Sequence, residues 1–264
     1  MTQDSLMQAC AELARVTGDT ALGYYGRAID VETKKDGSPV TIADRAAEKV
    51  AREWITSRFP ADGILGEELG TSRADAKRRW IIDPIDGTKS FVRTVPLWGS
   101  LVAVVEGESV LAGAAYFPAV SEIVSAATGC GCWWNGSRCS VSNVANLGDA
   151  TVLVTDDRFR GDETRSRAWQ KLASLASMAR TWGDCYGYLL VETGRAEVMA
   201  DDVVNPWDAA ALLPIITEAG GLLTDWTGTT TAFGRDLIAT NAALAHEVRA
   251  VLGVQYAGRS LADA

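Results

Sequence analysis

Two acidic residues, Asp83 and Asp86, stand three positions apart where an apolar run ends, in the sequence WIIDPIDGTKSF. The preceding tryptophan and isoleucines favour burial, and a buried carboxylate is costly unless a positive group meets it. Pro84 is expected to end the regular strand, so that the chain turns and Asp86 returns to the side of Asp83. Gly87 and Thr88 then expose backbone N–H groups at the start of a short helix, a setting that favours anions. Two hard oxygen ligands beside an anion site are the components of a Mg²⁺–phosphate centre.

Two further acids, Asp44 and Asp208, have a structural interpretation as well as a catalytic one. Asp44 lies three residues after Thr41, a spacing that is typical of a capping box at the start of a helix. Asp208 lies three residues after Asn205, with Pro206 between them, which favours an N-cap and a first helical turn. Each acid can belong to a helix cap or to a site, and the residues alone leave both interpretations open.

Two pairs of adjacent acids are equally ambiguous. Glu67 and Glu68 follow a short predicted strand, where side-by-side carboxylates are typical of a solvated turn. Asp201 and Asp202 follow another predicted strand in the sequence AEVMADD, and a solvated strand end would explain them. In both pairs a role at a site remains the second interpretation.

The chain contains a single histidine, His246, which falls in a predicted C-terminal helix. A Ser–His–Asp triad, a Cys–His pair or a multi-histidine zinc site would have to use this residue. The motifs G-x-S-x-G, G-x4-G-K-[ST] and G-x-G-x-x-G are also absent from the sequence. If the protein is an enzyme, we therefore expect its chemistry to rest on carboxylates.

The composition narrows the classes of partner. The 264 residues are 47% hydrophobic, which is enough for one large core, and they carry a net charge of −9. An acidic protein repels nucleic acid and anionic lipid, so neither is an expected partner. The N-terminal sequence MTQDSLMQAC lacks the basic segment of a signal peptide, and no apolar run approaches the roughly 20 residues of a membrane span. We therefore expect a soluble cytoplasmic protein that binds anionic small molecules with the help of cations.

Three of the five cysteines, Cys130, Cys132 and Cys139, are clustered in the sequence CGCWWNGSRC. Their spacing, C-x-C-x6-C, lacks the paired C-x2-C units of common structural zinc sites. We therefore expect reduced and mostly buried thiols, and a zinc site is the alternative.

The hydrophobic pattern predicts helices mixed with hairpins. Helices are predicted near 4–29, 42–58 and 164–178, and within YGYLLVETG, WDAAALLPIITEAGG and NAALAHEVRAVL. Pro214 is expected to kink the helix that contains it. The sequence GSLVAVVEGESVLAGAAYF alternates around a Gly-Glu-Ser turn, which predicts a hairpin that neighbouring strands continue. This mixture predicts an α+β layered sandwich rather than a doubly wound parallel sheet.

One loop, TKKDGSPV at 33–40, is basic in an otherwise acidic chain. Its lysines and its Gly-Ser-Pro composition predict a mobile flap that becomes ordered when metal and phosphate are present. Cleavage by a protease within this loop is expected to slow when Mg²⁺ and phosphate are added together.

Four sequence blocks together resemble the inositol monophosphatase family of lithium-sensitive, Mg²⁺-dependent sugar phosphatases. They are TIAD at 41–44, GEE at 66–68, DPIDGT at 83–88 and WDAA at 207–210, and their order and spacing match the family across nearly the whole chain. The resemblance implies a layered αβαβα sandwich, a homodimer, hydrolysis of a small-molecule phosphate monoester and inhibition by Li⁺.

The resemblance also implies two to three Mg²⁺ ions per subunit and a ligand set for them. Glu67, Asp83 and the carbonyl of Ile85 would hold the first ion. Asp83, Asp86 and Asp208 would hold the second, so that Asp83 bridges the two. Glu67 and water molecules would hold a weaker third ion, and Asp86 would also face the substrate phosphate.

Other matching residues would act on the phosphate and on the attacking water. Gly87 and Thr88 would bind the phosphate through their backbone amides. Thr88 and Asp44 would help to deprotonate the water, which places them with Glu67 among the catalytic residues. Glu68 has no ligand role in this assignment and would support the residues that do.

Within the family the sequence is most similar to the histidinol-phosphatase branch, through DGTKSF and GDCYGY. The resemblance implies one domain, 1–264, with a metal- and phosphate-binding half at about 1–145 and a substrate-specificity half at about 146–264. Asp184 and Asp201 would contact the organic part of the substrate. Acids suit the cationic amine and imidazole of L-histidinol phosphate, so we expect a histidinol-phosphatase of histidine biosynthesis. An inositol-1-phosphate phosphatase is the alternative, and a catalytically silent metal- or anion-binding relative is the non-enzymatic one.

Overall fold

The computed structural model of the protein describes residues 2–34 and 37–256. The α-helices in that part of the chain are α1 (Gln3–Leu22), α2 (Ile42–Arg58), α3 (Thr88–Phe91), α4 (Glu163–Leu175), α5 (Asp184–Glu192), α6 (Pro206–Ala209), α7 (Leu212–Glu218) and α8 (Ala245–Leu252). The strands are β1 (Val31–Thr33), β2 (Pro39–Thr41), β3 (Gly63–Gly66), β4 (Gly70–Ser72), β5 (Arg78–Asp86), β6 (Gly99–Glu106), β7 (Ser109–Phe117), β8 (Glu122–Ala127), β9 (Gly131–Trp134), β10 (Ser137–Arg138), β11 (Thr151–Val154), β12 (Met178–Arg180), β13 (Val198–Asp201), β14 (Leu222–Thr224) and β15 (Leu237–Thr240).

These elements stack in five layers. Helices α1 and α2 pack on one face of a sheet with strand order β10-β9-β8-β7-β6-β5-β3-β4. Helices α5 and α7 lie between this sheet and a second one of order β12-β11-β13-β15-β14. Helices α4 and α8 cover the outer face of the second sheet. The layered αβαβα sandwich expected from the sequence is therefore confirmed.

The two sheets come from successive parts of the chain and differ in pairing. The strands of the first sheet lie within 63–138 and are antiparallel neighbours except for β3 and β5, which are parallel. The predicted hairpin is β6–β7. The strands of the second sheet lie within 151–240, and there β11 runs parallel to both β12 and β13. Both sheets are covered by helices on two faces, so their central strands are buried along most of their length.

Most predicted helices are present, and their ends have local causes. Helix α2 spans the predicted residues 42–58. Helix α1 is shorter than predicted because it ends at the C-cap Gly23, and Asp162 starts α4 as its N-cap. The segment around Pro214 forms two helices, α6 and α7, instead of one kinked helix. The missing N–H of Pro214 would have bonded to the carbonyl of Ala210, which lies at the break.

Strand β5 carries the first acids of the site, and it differs from the prediction. The strand continues through Pro84 to Asp86, so the expectation that this proline ends it is wrong. The register against β6 shifts between Asp83 and Asp86, and Pro84 lies within that bulge. A bulge tolerates proline because the ladder does not require every N–H there.

The remaining sequence predictions concern the single histidine, membrane-spanning helices and the flap. His246 lies exposed on α8, in the outermost layer. None of the helices formed by residues 2–34 and 37–256 is long and apolar enough to cross a membrane. The hairpin β1–β2 flanks the predicted flap, but Lys35 and Asp36 at its centre lie outside the described residues.

Candidate active site

The carboxyl end of β5 is the centre of a group of acids. Asp83 is only 2% exposed, and its Oδ1 accepts a hydrogen bond from the backbone N of Ile85 at 2.9 Å. Burial, together with the charges of Glu67, Asp86 and Asp208, raises its pKa well above the usual range. Burial and neighbouring acids raise the pKa of Asp86 in the same way. Charges shift each other's pKa in this way only over short distances. The structure therefore brings together four of the predicted metal ligands, Glu67, Asp83, Asp86 and Asp208.

Asp208 reaches this group while it also caps a helix. Its Oδ2 accepts a hydrogen bond from the backbone N of Asn205 at 2.7 Å, which completes the capping box at the start of α6. The same carboxyl group is hydrogen-bonded to Asp83, and burial raises its pKa to about 6. The capping interpretation of Asp208 is thus confirmed, and the cap also orients its carboxyl group towards the other acids.

Asp44 combines a cap and a contact with the site in the same manner. Its Oδ2 accepts hydrogen bonds from the backbone N of Thr41 at 2.8 Å and from the Thr41 hydroxyl at 2.7 Å. Its Oδ1 lies 3.4 Å from the Thr88 hydroxyl, which is 3.0 Å from the carbonyl oxygen of Ile85. The Thr88 hydroxyl therefore connects a capping acid on α2 with the backbone at the end of β5.

Gly87 is the N-cap of the short helix α3, as predicted, and only glycine fits there. Its φ of 87° lies in the left-handed region, and a Cβ at this position would approach the carbonyl oxygen of Leu97 to 2.8 Å. The backbone can therefore come close to a ligand at Gly87 and Thr88 without a side chain in between.

The GEE turn is held by a residue that the sequence analysis missed. Glu48 on α2 is fully buried, and its carboxylate accepts hydrogen bonds from the backbone N of Glu68 at 2.7 Å and of Leu69 at 3.2 Å. Arg52, one helical turn later, donates to the same carboxylate at 2.7 Å. A Cβ on Gly66 would collide with Glu48, which explains the glycine of the turn. In the sequence, the i,i+4 spacing of Glu48 and Arg52 could have indicated that the two side chains form an ion pair on α2.

Glu67 and Glu68 are not a solvated pair. Their side chains are 19% and 6% exposed, and Nζ of Lys34 donates to one carboxylate oxygen of each at 2.6 Å. Burial raises the pKa of Glu68 to about 7 and also raises that of Glu67, although Lys34 opposes both shifts. Burial lowers the pKa of Lys34, but its two acidic partners outweigh this and raise it. Lys34, a basic residue of the predicted flap, thus contacts the metal-ligand candidates directly.

A cavity of about 130 Å³ adjoins the acids. Its lining includes the predicted residues Asp86, Asp184, Asp201 and Asp208. Residues that the sequence analysis did not assign also line it: Lys89, Thr155, Asp156, Arg160, Tyr188, Val203, Val204 and Leu212. A larger cleft of about 850 Å³ between the β1–β2 hairpin and α3 shares Lys89 with it. The cavity has the size and the polar walls of a subsite for a small organic group.

Asp184 and Asp201 enter this cavity from different elements. Asp184 is the first residue of α5, with φ 51°, and its backbone N donates to the Thr155 hydroxyl at 2.8 Å. Asp201 ends β13 and accepts hydrogen bonds from the backbone N of Thr155 at 3.2 Å and from the Tyr188 hydroxyl at 3.0 Å. Burial raises the pKa of Asp184, and it raises that of Asp201 to about 7. Protein donors therefore engage Asp201, and Asp184 lacks such donors to its carboxylate among the bonds described here.

The donor chemistry of the acids fits Mg²⁺. Glu67, Asp83, Asp86 and Asp208 provide hard carboxylate oxygens, and their mutual repulsion in a buried place would be relieved by a divalent cation. Among residues 2–34 and 37–256, no three acids, histidines or cysteines are already spaced as a metal ligand set. Lys34 donates to one oxygen of Glu67, Oε1, at 2.6 Å.

Comparisons with known proteins agree with this geometry. The sequence profile of the inositol monophosphatase family matches residues 2–257. The chain is 42% identical to a histidinol-phosphatase of Chlorobaculum parvum, over 96% of this chain and 98% of that protein. It is 37% identical to a histidinol-phosphatase of Mycobacterium tuberculosis, over 94% of this chain and 97% of that protein. The solved structure of the Thermotoga maritima IMPase superposes with a TM-score of 0.85 at 32% identity, covering 95% of this chain and 97% of that one.

Proposed function

The chain belongs to the inositol monophosphatase family, and we propose that it is a Mg²⁺-dependent phosphate monoester hydrolase that converts L-histidinol phosphate and water to L-histidinol and phosphate. The observation that carries the proposal is the convergence of Glu67, Asp83, Asp86 and Asp208 beside an acidic cavity. The near full-length similarity to proteins named histidinol-phosphatase supports the choice of substrate. The proposal includes a homodimer that works in the cytoplasm in histidine biosynthesis, and a division of labour between about 1–145 and about 146–264.

The acids at the end of β5 would hold the metal. In the proposal, Glu67, Asp83 and the carbonyl of Ile85 hold one Mg²⁺, and Asp83, Asp86 and Asp208 hold another. Glu67 would also contribute to a third ion, and Li⁺ is expected to inhibit by competing for these ligands. When bound, Mg²⁺ supplies a nucleophile from water near neutral pH and offsets negative charge on the transferring phosphoryl group.

The protein's own groups would position the substrate and move the proton. The backbone amides of Gly87 and Thr88 would bind the phosphate at the start of α3, where no side chain intervenes. The Thr88 hydroxyl would take part in a proton path from the attacking water to Asp44. This path is supported by the 3.4 Å separation between the Thr88 hydroxyl and Asp44 Oδ1. Asp44 is suited to accept a proton because burial raises its pKa.

The organic group of the substrate would occupy the acidic cavity. L-histidinol carries an amine and an imidazole, whereas inositol offers only hydroxyl groups. Asp184 would supply negative charge to the amine, and Asp201 would shape the wall together with Tyr188. Each charge-assisted hydrogen bond in such a place contributes about 1.5–3 kcal/mol, or about ten- to a hundredfold in kcat/KM. The cavity therefore favours a cationic organic group.

An inositol-1-phosphate phosphatase is the second candidate, and the similarity to the Thermotoga maritima IMPase favours it. A catalytically silent relative is the third, but all of the ligand positions implied by the family are occupied by suitable residues. The same metal site would serve both phosphatases, because its ligands are assigned to the metal ions and the phosphate, which the two substrates have in common.

A substrate panel tests the proposal. Phosphate release would be measured from L-histidinol phosphate, inositol 1-phosphate and an aryl phosphate, each with Mg²⁺ and again with EDTA. We expect activity only with Mg²⁺, and at least about a tenfold preference in kcat/KM for L-histidinol phosphate over inositol 1-phosphate. A preference for inositol 1-phosphate would select the second candidate. Binding without release of phosphate from any substrate would select the silent relative.

A further inference from the structure

The strand β9 and the residues after β10 bring two thiols together. Ser137 pairs with Trp134 and Arg138 with Trp133, so the next residue, Cys139, lies opposite Cys132. The backbone N of Cys139 donates to the carbonyl of Cys132 at 3.1 Å, which continues the pairing. The two Sγ atoms are 3.3 Å apart and share a hydrogen bond. No role in phosphate hydrolysis uses these residues.

The remaining cysteines do not compete for this contact. Cys130 packs against the core on the α1 side of the first sheet, whereas Cys132 belongs to the core between the two sheets. The thiol of Cys130 faces the carbonyl of Thr128. Cys10 lies in the same core as Cys130, and Cys185 lies beside the carbonyl of Asp86. Cys132 and Cys139 are therefore the two thiols that the fold matches to each other.

The two thiols differ in access to solvent, which gives each a distinct chemical role. Cys132 is fully buried, whereas Cys139 is partly exposed. The hydrogen bond between the two thiols lowers the pKa of Cys139, against the opposing effect of burial. The same contact and burial raise the pKa of Cys132. Cys139 is thus the thiol that ionises and meets an oxidant first, and Cys132 is placed to resolve the product.

A buried acid beside the pair is consistent with this assignment. Glu192, the last residue of α5, is fully buried, and neither of its carboxyl oxygens has a hydrogen-bond partner among residues 2–34 and 37–256. Its charge would interact with both Cys132 and Cys139, which places it next to them. Burial raises the pKa of Glu192 well above the usual range, which favours its uncharged form. In that form the acid does not repel a thiolate on Cys139.

We propose that Cys132 and Cys139 form a reversible dithiol–disulfide site that reacts with low-molecular-weight disulfides of the glutathione type. The Cys139 thiolate attacks one sulfur of the disulfide, which forms a mixed disulfide and releases one thiolate. The Cys132 sulfur then attacks Sγ of Cys139, displaces the second thiolate and completes the intramolecular bond. Two electrons pass from the protein to the oxidant, and the two thiol protons leave on the two released thiols.

Only a small movement separates the two states. A disulfide has a sulfur–sulfur distance of about 2.05 Å, so the sulfurs must approach by about 1.2 Å from their 3.3 Å separation. Directly opposite residues of antiparallel strands have Cβ atoms about 4.5–5.5 Å apart, and disulfides have them about 3.5–4.5 Å apart. The backbone pairing therefore already provides most of the geometry of the bond.

The site is tested by thiol chemistry, independently of phosphatase activity. The full chain would be incubated with oxidised glutathione, the remaining thiols would be alkylated, and peptides would be mapped by mass spectrometry. We expect a peptide in which Cys132 and Cys139 have lost two hydrogens together, and recovery of both thiols with dithiothreitol. The Cys130→Ser variant is the matched control, because it removes a neighbouring thiol and should leave this result unchanged.

Two variants separate the roles of the pair. With Cys132→Ala, glutathione should remain attached to Cys139, because the resolving thiol is missing. With Cys139→Ser, Cys132 should remain reduced, because it is buried. The proposal is overturned if Cys132 and Cys139 both stay reduced in the wild type, if the new bond involves Cys130, or if the pair is protected by bound zinc that a chelator releases.

Discussion

Two interior strands, one in each sheet, carry a buried acid near their carboxyl end, and the surroundings of the two acids differ. Asp83 lies at the bulge of β5. The charges of Glu67, Asp86 and Asp208 raise the pKa of Asp83 further than burial alone. Asp201 ends β13 and receives hydrogen bonds from Thr155 and Tyr188, which lower its pKa against the effect of burial. One acid is surrounded by like charge, and the other is supplied with donors by the fold.

The difference separates ligands from structural acids. A carboxylate that the protein satisfies with its own donors needs nothing else, and it can shape a cavity wall. Carboxylates that face each other are costly in a folded protein unless a cation joins them. The group around Asp83 is therefore the better candidate for metal binding, and Asp201 is the better candidate for positioning. The following predictions test this division, beginning with the largest expected effect.

Removing a ligand charge from the first group should abolish turnover. We expect Asp83→Asn and Asp208→Asn each to lower kcat/KM by at least about a thousandfold, or about 4 kcal/mol of transition-state stabilisation. Both proteins should remain folded, since the amide fits the same space and relieves repulsion between acids. Activity would be measured with L-histidinol phosphate at saturating Mg²⁺, and folding by circular dichroism.

A matched control is Asp162→Asn. Asp162 caps α4 as Asp208 caps α6, but it is exposed, and its side chain contacts only groups of its own helix among the bonds described here. This variant should keep wild-type activity. Near-normal activity of Asp83→Asn would exclude the bridging role of that residue.

Substitution of Glu67 should lower kcat/KM more than substitution of Glu68, by about one order of magnitude or more. Lys34 donates to both acids, but Glu67 also interacts with Asp83 and Asp208, whereas the backbone N of Glu68 donates to Glu48. We expect Glu67→Gln to lower kcat/KM about a hundredfold and Glu68→Gln to lower it less than about tenfold. Titration of activity against Mg²⁺ concentration would show the loss for Glu67→Gln. Equal losses would mean that the two roles are reversed or shared.

Within the cavity, Asp184 should contribute more to specificity than Asp156. Asp156 is neutralised by Arg158, whose guanidinium donates to it at 2.8 and 2.7 Å and lowers its pKa to about 2. We expect Asp184→Asn to reduce the preference for L-histidinol phosphate over inositol 1-phosphate about tenfold. Asp156→Asn should change it less than about fivefold, because exposed ion pairs contribute little. Hydrolysis of an aryl phosphate is the control, and an equal loss on all three substrates would contradict a specificity role.

Local sequence patterns were sufficient to predict the elements that carry the candidate metal ligands. Helical spacing and the Thr41–Asp44 box placed α2 correctly, and the apolar run before Asp83 placed β5. Helix spacing, capping boxes and apolar runs depend on residues that are close in the sequence, so they can be predicted from the sequence. The same holds for the cap at Asn205, which the structure also contains.

Contacts between distant segments could not be read in this way. Glu48 holds the GEE turn from twenty residues away, and Lys34 reaches Glu67 from a separate hairpin. The bulge at Pro84 depends on pairing with β6, which local rules for proline do not include. The donors of Asp201 are Thr155, the residue after β11, and Tyr188 on α5, and only the packing of the second sheet against α5 brings them together.

The last prediction concerns the stability of the protein at the second strand end, Asp201. The pKa of Asp201 is raised from 3.8 to about 7 in the folded protein, mainly by burial. The folded state therefore holds this proton more tightly than the unfolded state, and wild-type stability falls as pH rises from about 4 to about 7. Above about pH 7 the contribution is constant. Its upper limit is about 4 kcal/mol, because each pKa unit corresponds to about 1.36 kcal/mol.

The variant Asp201→Asn lacks this titration, so its stability relative to the wild type should increase between pH about 4 and about 7 and then level off. Urea unfolding in EDTA at pH about 4, about 6 and about 8 would measure the difference. In Tyr188→Phe the carboxylate of Asp201 loses a donor that favours its charged form. In this variant the fall in stability with rising pH should therefore continue to a higher pH than in the wild type. A difference between Asp201→Asn and the wild type that is independent of pH would show that Asp201 is ionised throughout this range. Asp201 would then carry a full negative charge in the cavity, towards the substrate.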